Sequence, residues 1–216
     1  MVQLILASQS PRRRQLIALL GKPVHAMAAT VDEDSVRHPD PRKNVVETAH
    51  LKARAIAGQF PDAIIIAADT TVAIDGQMLG KPADVDEATK TIRRLRGREH
   101  QVYTGMVLCH TRSERLKTAV CSTSVVMRAY SDEEIERYVR SGDPFDKAGA
   151  YAIQHAGFSP VARIRGCYTN VVGLALCDLC VILRRFGVNA DLSVAEQSAD
   201  YRHCATCLDL TAGQTL

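Results

Sequence analysis

The chain has 216 residues, a length that suits one large domain or two lobes around a cleft. A hydrophobic share of 46% and a charged share of 24% are ordinary for a soluble globular protein, and no apolar run reaches the roughly 18 residues of a membrane span. The formal charge of +3 is too small to argue for a nucleic-acid partner, but it leaves room for a local basic site that takes an anionic small molecule.

Gln3 to Ala7 is short, apolar and without a basic flank, and predicts a strand rather than a signal peptide. Ser8-Gln9-Ser10-Pro11-Arg12-Arg13-Arg14 follows. Ser10 suits the N-cap of a helix and Pro11 its first position; Leu16, Ile17, Leu19 and Leu20 give an apolar face, and Gly21 an end. The free N–H groups of that helix start, with three arginines and two serines around them, predict an anion site, phosphate above all. Cations are disfavoured at a helix N-terminus, so their placement there wants a reason beyond solvation.

Val31-Asp32-Glu33-Asp34 is an acidic cluster, either a plain loop or a means of bringing Glu33 to a metal shared with Asp69. Pro41 to Gly58 predicts a helix whose inner stripe, Val45, Ala49, Lys52, Ala53 and Ile56, contains a lysine. A lone lysine in such a stripe more commonly snorkels than reaches into a cleft. Ala63 to Ala68 predicts a buried strand ending on Asp69, with Thr70 and Thr71 after it. A second short strand, Val72 to Ile74, turns at Asp75-Gly76, a strong hairpin signal, and returns to Gly80-Lys81-Pro82. One hairpin thus carries an acid that can hold a divalent cation or take a proton from water, and a lysine that can hold a phosphate.

Asp84 to Glu87 reads as a capping box for a helix with Val85, Ala88, Ile92 and Leu95 inward, stopped by Gly97. Gln101 to His110 alternates, with Val102, Thr104, Met106 and Leu108 on one side, and pairs with Arg115 to Tyr130 as a long antiparallel hairpin. Ser131 to Glu134 is another capping box, opening a helix that buries Ile135, Tyr138 and Val139 and ends at Gly142. Asp143 to Gln154 holds Asp146-Lys147, a small-residue run that lets backbones approach, and Gln154, an amide able to read a base edge. Val161 to Ile164 and Asn170 to Leu176 read as strands, and Asp178 to Phe186 as a last helix closed by Gly187.

Residues 189–216 lose periodicity and are polar, predicting a tail that is partly disordered or loosely packed behind a domain at 1–188. Seven cysteines, an odd count at irregular spacing, fit reduced thiols in a cytosol. Cys177-x-x-Cys180 and Cys204-x-x-Cys207, with His203, have the look of zinc ligands. The gap between the pairs is long for a zinc ribbon, and the first pair lies in an apolar helix where cysteine acts as a small hydrophobe.

Several motifs in this order resemble the Maf-like nucleotide pyrophosphatases, also called septum formation inhibitor proteins. They are Leu6-Ala7-Ser8-Gln9-Ser10-Pro11-Arg12-Arg13, Ala68-Asp69-Thr70, Leu79-Gly80-Lys81-Pro82 and Leu95-Arg96-Gly97. They continue with His100-x-Val102-x-Thr104-Gly105, Asp146-Lys147-Ala148-Gly149-Ala150-Tyr151-x-Ile153-Gln154 and Val171-Val172-Gly173-Leu174. The resemblance spans about residues 3–187. Ala68-Asp69-Thr70 together with Ala150-Tyr151-x-Ile153-Gln154 is similar to the dTTP/UTP branch, whereas the 7-methyl-GTP branch tends to carry Ser-Asp-Gln. Cys167 stands where serine is common, Ala175 where proline is, and His155 where glycine is.

The resemblance implies an α/β fold of the inosine-triphosphatase-like type: a mixed sheet with flanking helices, two lobes around a central cleft. It implies hydrolysis of dTTP and UTP to the monophosphate and pyrophosphate with a divalent cation, Mg²⁺ or Mn²⁺, by a cytoplasmic homodimer. It assigns Asp69 as proton acceptor, and Arg12, Thr70 and Gln154 to base selection. It assigns Ser8, Arg13, Lys52, Lys81 and Lys147 to phosphate, and Glu33 with Asp69 to the metal. The alternatives are a 7-methyl-GTP or other nucleotide pyrophosphatase of the family, or a non-enzymatic nucleotide-binding regulator of cell division. Low net charge and few aromatics weigh against nucleic acid, and nothing calls for a membrane.

Overall fold

The computed structural model describes residues 2–190, together with 192 and 195. Its frame is a seven-stranded mixed sheet. The strands are β1 (Gln3–Ala7), β2 (Val24–Met27), β3 (Ala63–Ile74), β4 (Gln77–Leu79), β5 (Glu99–His110), β6 (Arg115–Met127) and β7 (Val161–Arg165). The order is β2-β1-β3-β5-β6-β7, with β4 folded back onto β3. Strands β2, β1 and the first half of β3 run parallel; every other pairing is antiparallel.

The helices form where the local chemistry asks for them. In α1 (Pro11–Ala18) the Ser10 side chain accepts from the backbone N–H of Arg13, and Pro11 fills the first turn. Asp40 caps α2 (Pro41–Ala57) in the same manner. Asp84 caps α3 (Val85–Leu95), but the expected box is only half reciprocal, since Glu87 accepts from Ala83 N–H. Val85, expected inside, is exposed, while Ala88, Ile92 and Leu95 are buried. The box at Ser131 and Glu134 closes in full and opens α4 (Asp132–Arg140). The hairpin turn is as expected: Asp75 and Gly76 have φ of 53° and 74°.

Two expectations need correction. β3 does not end at Asp69; it runs unbroken for 12 residues, because β5 pairs with it from Ile64 to Ala73. Asn170 to Leu176 is not a strand. It contains α5 (Tyr168–Val172), a break at Gly173 and the start of α6 (Leu176–Arg185). A short apolar run buried on all sides has no periodicity to tell helix from strand. Cys109, Cys121, Cys167 and Cys180 are reduced thiols. The zinc reading at Cys204, Cys207 and His203 lies outside the described residues, as does most of the 189–216 tail.

Three buried clusters are found among the described residues. α1, α5 and α6 cover one face of β1, β3 and β5, and α2 covers the other. α3 and α4 form a separate core near the far ends of the long strands with Tyr130, Tyr151 and Phe158. α2 lies very close to the sheet: a Cβ on Gly105 of β5 would sit 2.6 Å from the backbone carbon of Val45. Gly149, with φ of 72°, likewise comes close to Val72. Among the described residues no helix is long and apolar enough to cross a membrane.

Candidate active site

The change of partners along β3 creates the site. β1 pairs with β3 through Ala67, and β4 pairs from Val72 onward on the same edge. Residues 68–71 lie between the two partners, where the carboxyl ends of the parallel strands open. Asp69 and Thr70 stand in this gap, and a cleft of about 880 Å³ opens over them. All ten residues singled out in the sequence line it: Ser8, Arg12, Arg13, Glu33, Lys52, Asp69, Thr70, Lys81, Lys147 and Gln154.

At the floor, Lys52 does not snorkel. It is 5% exposed, and its Nζ donates to Asp69 Oδ1 at 2.7 Å and Glu33 Oε2 at 2.8 Å. The stripe of α2 that buries Val45, Ala49, Ala53 and Ile56 aims the lysine at the sheet, and two acids receive it. Burial by itself would raise the Glu33 carboxyl. The Lys52 hydrogen bond and charge, with Lys81 and Arg13, pull it below its ordinary value.

At the rim, Ser8 is buried and its Oγ accepts from Ser10 N–H. Arg13 turns inward: Nε donates to Gly173 O at 2.8 Å and an Nη to Thr70 Oγ1 at 3.0 Å. Burial lowers the Arg13 pKa, opposed by the charges of Asp69 and Glu33. Thr70 therefore touches Arg13, Thr104 and Gly173. Arg12 pairs instead across the cleft mouth with Asp146 at 3.0 Å. Asp146 also takes Lys147, whose ammonium bonds Asp143 as well, so Lys147 staples its own loop. Lys81 follows β4 and is exposed, and among the described residues it makes no salt bridge.

Residues that sequence reasoning missed stand behind these. Asp146 carries no signal in the sequence beyond its motif, although its place beside Lys147 hints at a pair. Thr104 falls in an alternating strand and in the His100 to Gly105 motif without a role of its own; a threonine on a buried face is the available signal. Tyr151 lines the cleft, and its hydroxyl lies 2.7 Å from His100 Nε2. No local pattern shows that contact, since 51 residues separate the two.

His100 is 2% exposed, and its Nδ1 is buried without a hydrogen-bond partner. Burial pushes its pKa down to about 4, against the pull of Glu99. Its folded value thus lies below the unfolded value of about 6.5. The stability it contributes is present above about pH 6.5 and is lost as pH falls toward about 4, by up to roughly 3 kcal/mol. Melting temperatures recorded across this window should fall on acidification. His100→Gln should flatten that part of the curve; an unchanged slope would contradict the account.

Glu33 and Asp69 offer hard carboxylate oxygens, and among the described residues no group of three or more metal-ligating side chains exists. Mg²⁺ is commonly held by one or two carboxylates with the remaining places taken by substrate phosphates and water, so the pair fits an ion that shares a phosphate ligand. Lys52 already neutralises these oxygens, and a bound cation competes with it for them.

Two carboxylates, a buried lysine and a helix start carrying arginines, all facing one cleft of a mixed sheet, define an α/β protein built to take a phosphate-bearing anion. The chain belongs to the Maf-like proteins, whose family model matches residues 3–186. A relative from Pelotomaculum thermopropionicum, named dTTP/UTP pyrophosphatase, is 43% identical over 88% of this chain and 99% of its own. One from Salinibacter ruber, with the same name, is 47% identical over 84% of this chain and 89% of its own. Among solved structures, a HAM1 protein from Coxiella burnetii covers 60% of this chain and 75% of its own at 20% identity, with a TM-score of 0.41.

Proposed function

We propose that this chain is a nucleoside triphosphate pyrophosphatase that hydrolyses dTTP and UTP to the monophosphate and pyrophosphate. The observation that carries the reading is the Glu33–Lys52–Asp69 cluster, 2.8 and 2.7 Å across its two contacts, set in the β3 gap beneath Arg13. The names of the relatives support the substrate. The same reading includes a homodimer in the cytoplasm and a single domain over residues 1–188.

The residues divide the work. The α1 start, Arg13 and Lys81 offset the charge of the triphosphate, which an acidic floor would otherwise repel. Lys52 neutralises the two carboxylates until substrate arrives and then has an ammonium to offer a phosphate oxygen. Asp69 orients the attacking water and takes its proton; the water oxygen joins the α-phosphorus, and the bridging oxygen leaves with pyrophosphate. A divalent cation, Mg²⁺ or Mn²⁺, held by Glu33 and Asp69 would polarise the α-phosphoryl group and offset the charge that develops there. Arg12, Thr70 and Gln154 border the place of the base, and Tyr151 lines the same cleft.

Gln154→Ala is expected to blur the distinction between pyrimidine and purine triphosphates more than it lowers the best rate. The ratio of kcat/KM for dTTP and dGTP checks this, and an unchanged nucleotide profile counts against it. The reading as a whole is tested by pyrophosphate release from the purified chain with Mg²⁺ or Mn²⁺. Preferential turnover of dTTP and UTP over CTP and 7-methyl-GTP is expected. Preference for 7-methyl-GTP would move the chain to another branch, and silence toward every nucleotide from a folded, metal-supplied sample would favour a regulator.

A further inference from the structure

Thr104 is fully buried on β5, has no access to the cleft floor, and takes no part in the chemistry described above. Its hydrogen bonds nonetheless have a direction. Its Oγ1 lies 3.2 Å from the backbone oxygen of Asn170, which can only accept, so the Thr104 proton goes there. Thr104 Oγ1 then accepts from Thr70 Oγ1, 2.9 Å away, the shorter of the two contacts open to the Thr70 proton, since Gly173 O lies at 3.3 Å and already accepts from Arg13 Nε. Thr70 in turn accepts from the Arg13 guanidinium at 3.0 Å. The result is a one-way chain of donors, Arg13 to Thr70 to Thr104 to Asn170.

The chain ends on a fixed anchor. The Asn170 side chain donates to Val102 O and to Thr123 Oγ1, at 3.1 and 2.9 Å, which ties α5 to both β5 and β6. Gly173, three residues on, accepts from Arg13 Nε at 2.8 Å. Arg13 is therefore gripped at two of its five N–H groups, by Gly173 O at the end of α5 and by Thr70 Oγ1, leaving the rest of its fork for the cleft. A guanidinium is planar and its bidentate use is geometric, so a small rotation of the fork changes which oxygens it meets.

We infer that Thr104 is a positioning residue for the reaction: through Thr70 it sets the plane of the Arg13 guanidinium that receives the triphosphate. The inference rests on the reading of Arg13 as a phosphate contact. It also gives Thr70 a means of influencing substrate choice without touching the base, because a change at Thr70 shifts Arg13.

A double-mutant cycle on kcat and KM for dTTP tests it, with Thr104→Val, Arg13→Lys and the double variant. Thr104→Val keeps shape and removes the relay; it should lower kcat/KM on the order of tenfold, mostly through KM, since a misplaced binding group is costly. In the Arg13→Lys background the same change should cost less than about twofold, because the fork it positions is gone. Thr104→Ser, which keeps the hydroxyl, should recover kcat/KM to within about threefold of the parent. A merely structural threonine would lower melting temperature while costing the same factor in both backgrounds, and that result overturns the inference. So does a Thr104→Val enzyme with parental constants when Arg13→Lys is impaired. Parental kinetics in Arg13→Lys would instead remove the assignment of Arg13 itself, and the inference with it. Thr70→Val cuts the chain one link nearer to Arg13 and supplies the same cycle if Thr104→Val does not fold.

Discussion

Replacing Asp69 by asparagine is expected to lower dTTP turnover on the order of a hundredfold or more, the usual loss for an acid–base group. The amide is nearly the same size, and its oxygen can still accept from Lys52, which keeps its second partner in Glu33. The floor of the cleft thus keeps its shape. What is lost is the charge and the lone pair that takes a proton from water. The melting temperature should move little, and nucleotide should still bind, since Arg13, Lys81 and the start of α1 are untouched. Turnover within a fewfold of the parent would remove Asp69 from the chemistry.

Gly105→Ala is expected to be the most damaging single methyl. Gly105 stands opposite Asp69 in the β3–β5 register, directly under α2. The added carbon would lie 2.6 Å from Val45 C, 2.7 Å from Val45 O and 2.7 Å from Val46 N, all backbone atoms with no rotamer to yield. Either α2 lifts from the sheet or β5 bends. Overpacking of this kind costs about 1–3 kcal/mol, and rigid backbone on one side points to the upper end. At about 2–4 °C per kcal/mol for a chain of this size, the melting temperature should fall by roughly 6–12 °C. Activity should fall further than stability explains, because Lys52 lies two turns beyond Val45 on the same face of α2 and moves with it. A variant with parental melting temperature and turnover would contradict the close packing of α2.

The contrast between these residues shows what a sequence carries. Ser10-Pro11, Ser131 with Glu134, and Asp75-Gly76 were legible because each acts on its own neighbours within a few positions. The strand β2 was not. Its four residues alternate neither in hydrophobicity nor in burial, and only the parallel partner β1 makes them a strand. The unbroken course of β3 depends in the same way on β5. Lys52 looked like a snorkelling lysine because the sequence does not show that two acids, 17 and 19 positions away, meet it inside. The ten candidate residues were found mainly through motifs, and the structure brings all of them to one cleft. How they divide it, with Arg13 facing in, Arg12 held by Asp146 and Lys147 bound to its own loop, follows from pairings that no spacing encodes.

The most direct measurement is product analysis of dTTP hydrolysis in ¹⁸O-labelled water with Mg²⁺. Attack of water on the α-phosphorus, oriented by Asp69, predicts dTMP carrying one labelled oxygen and unlabelled pyrophosphate in equal amount. Label in the pyrophosphate, or dTDP with inorganic phosphate as products, would contradict the account.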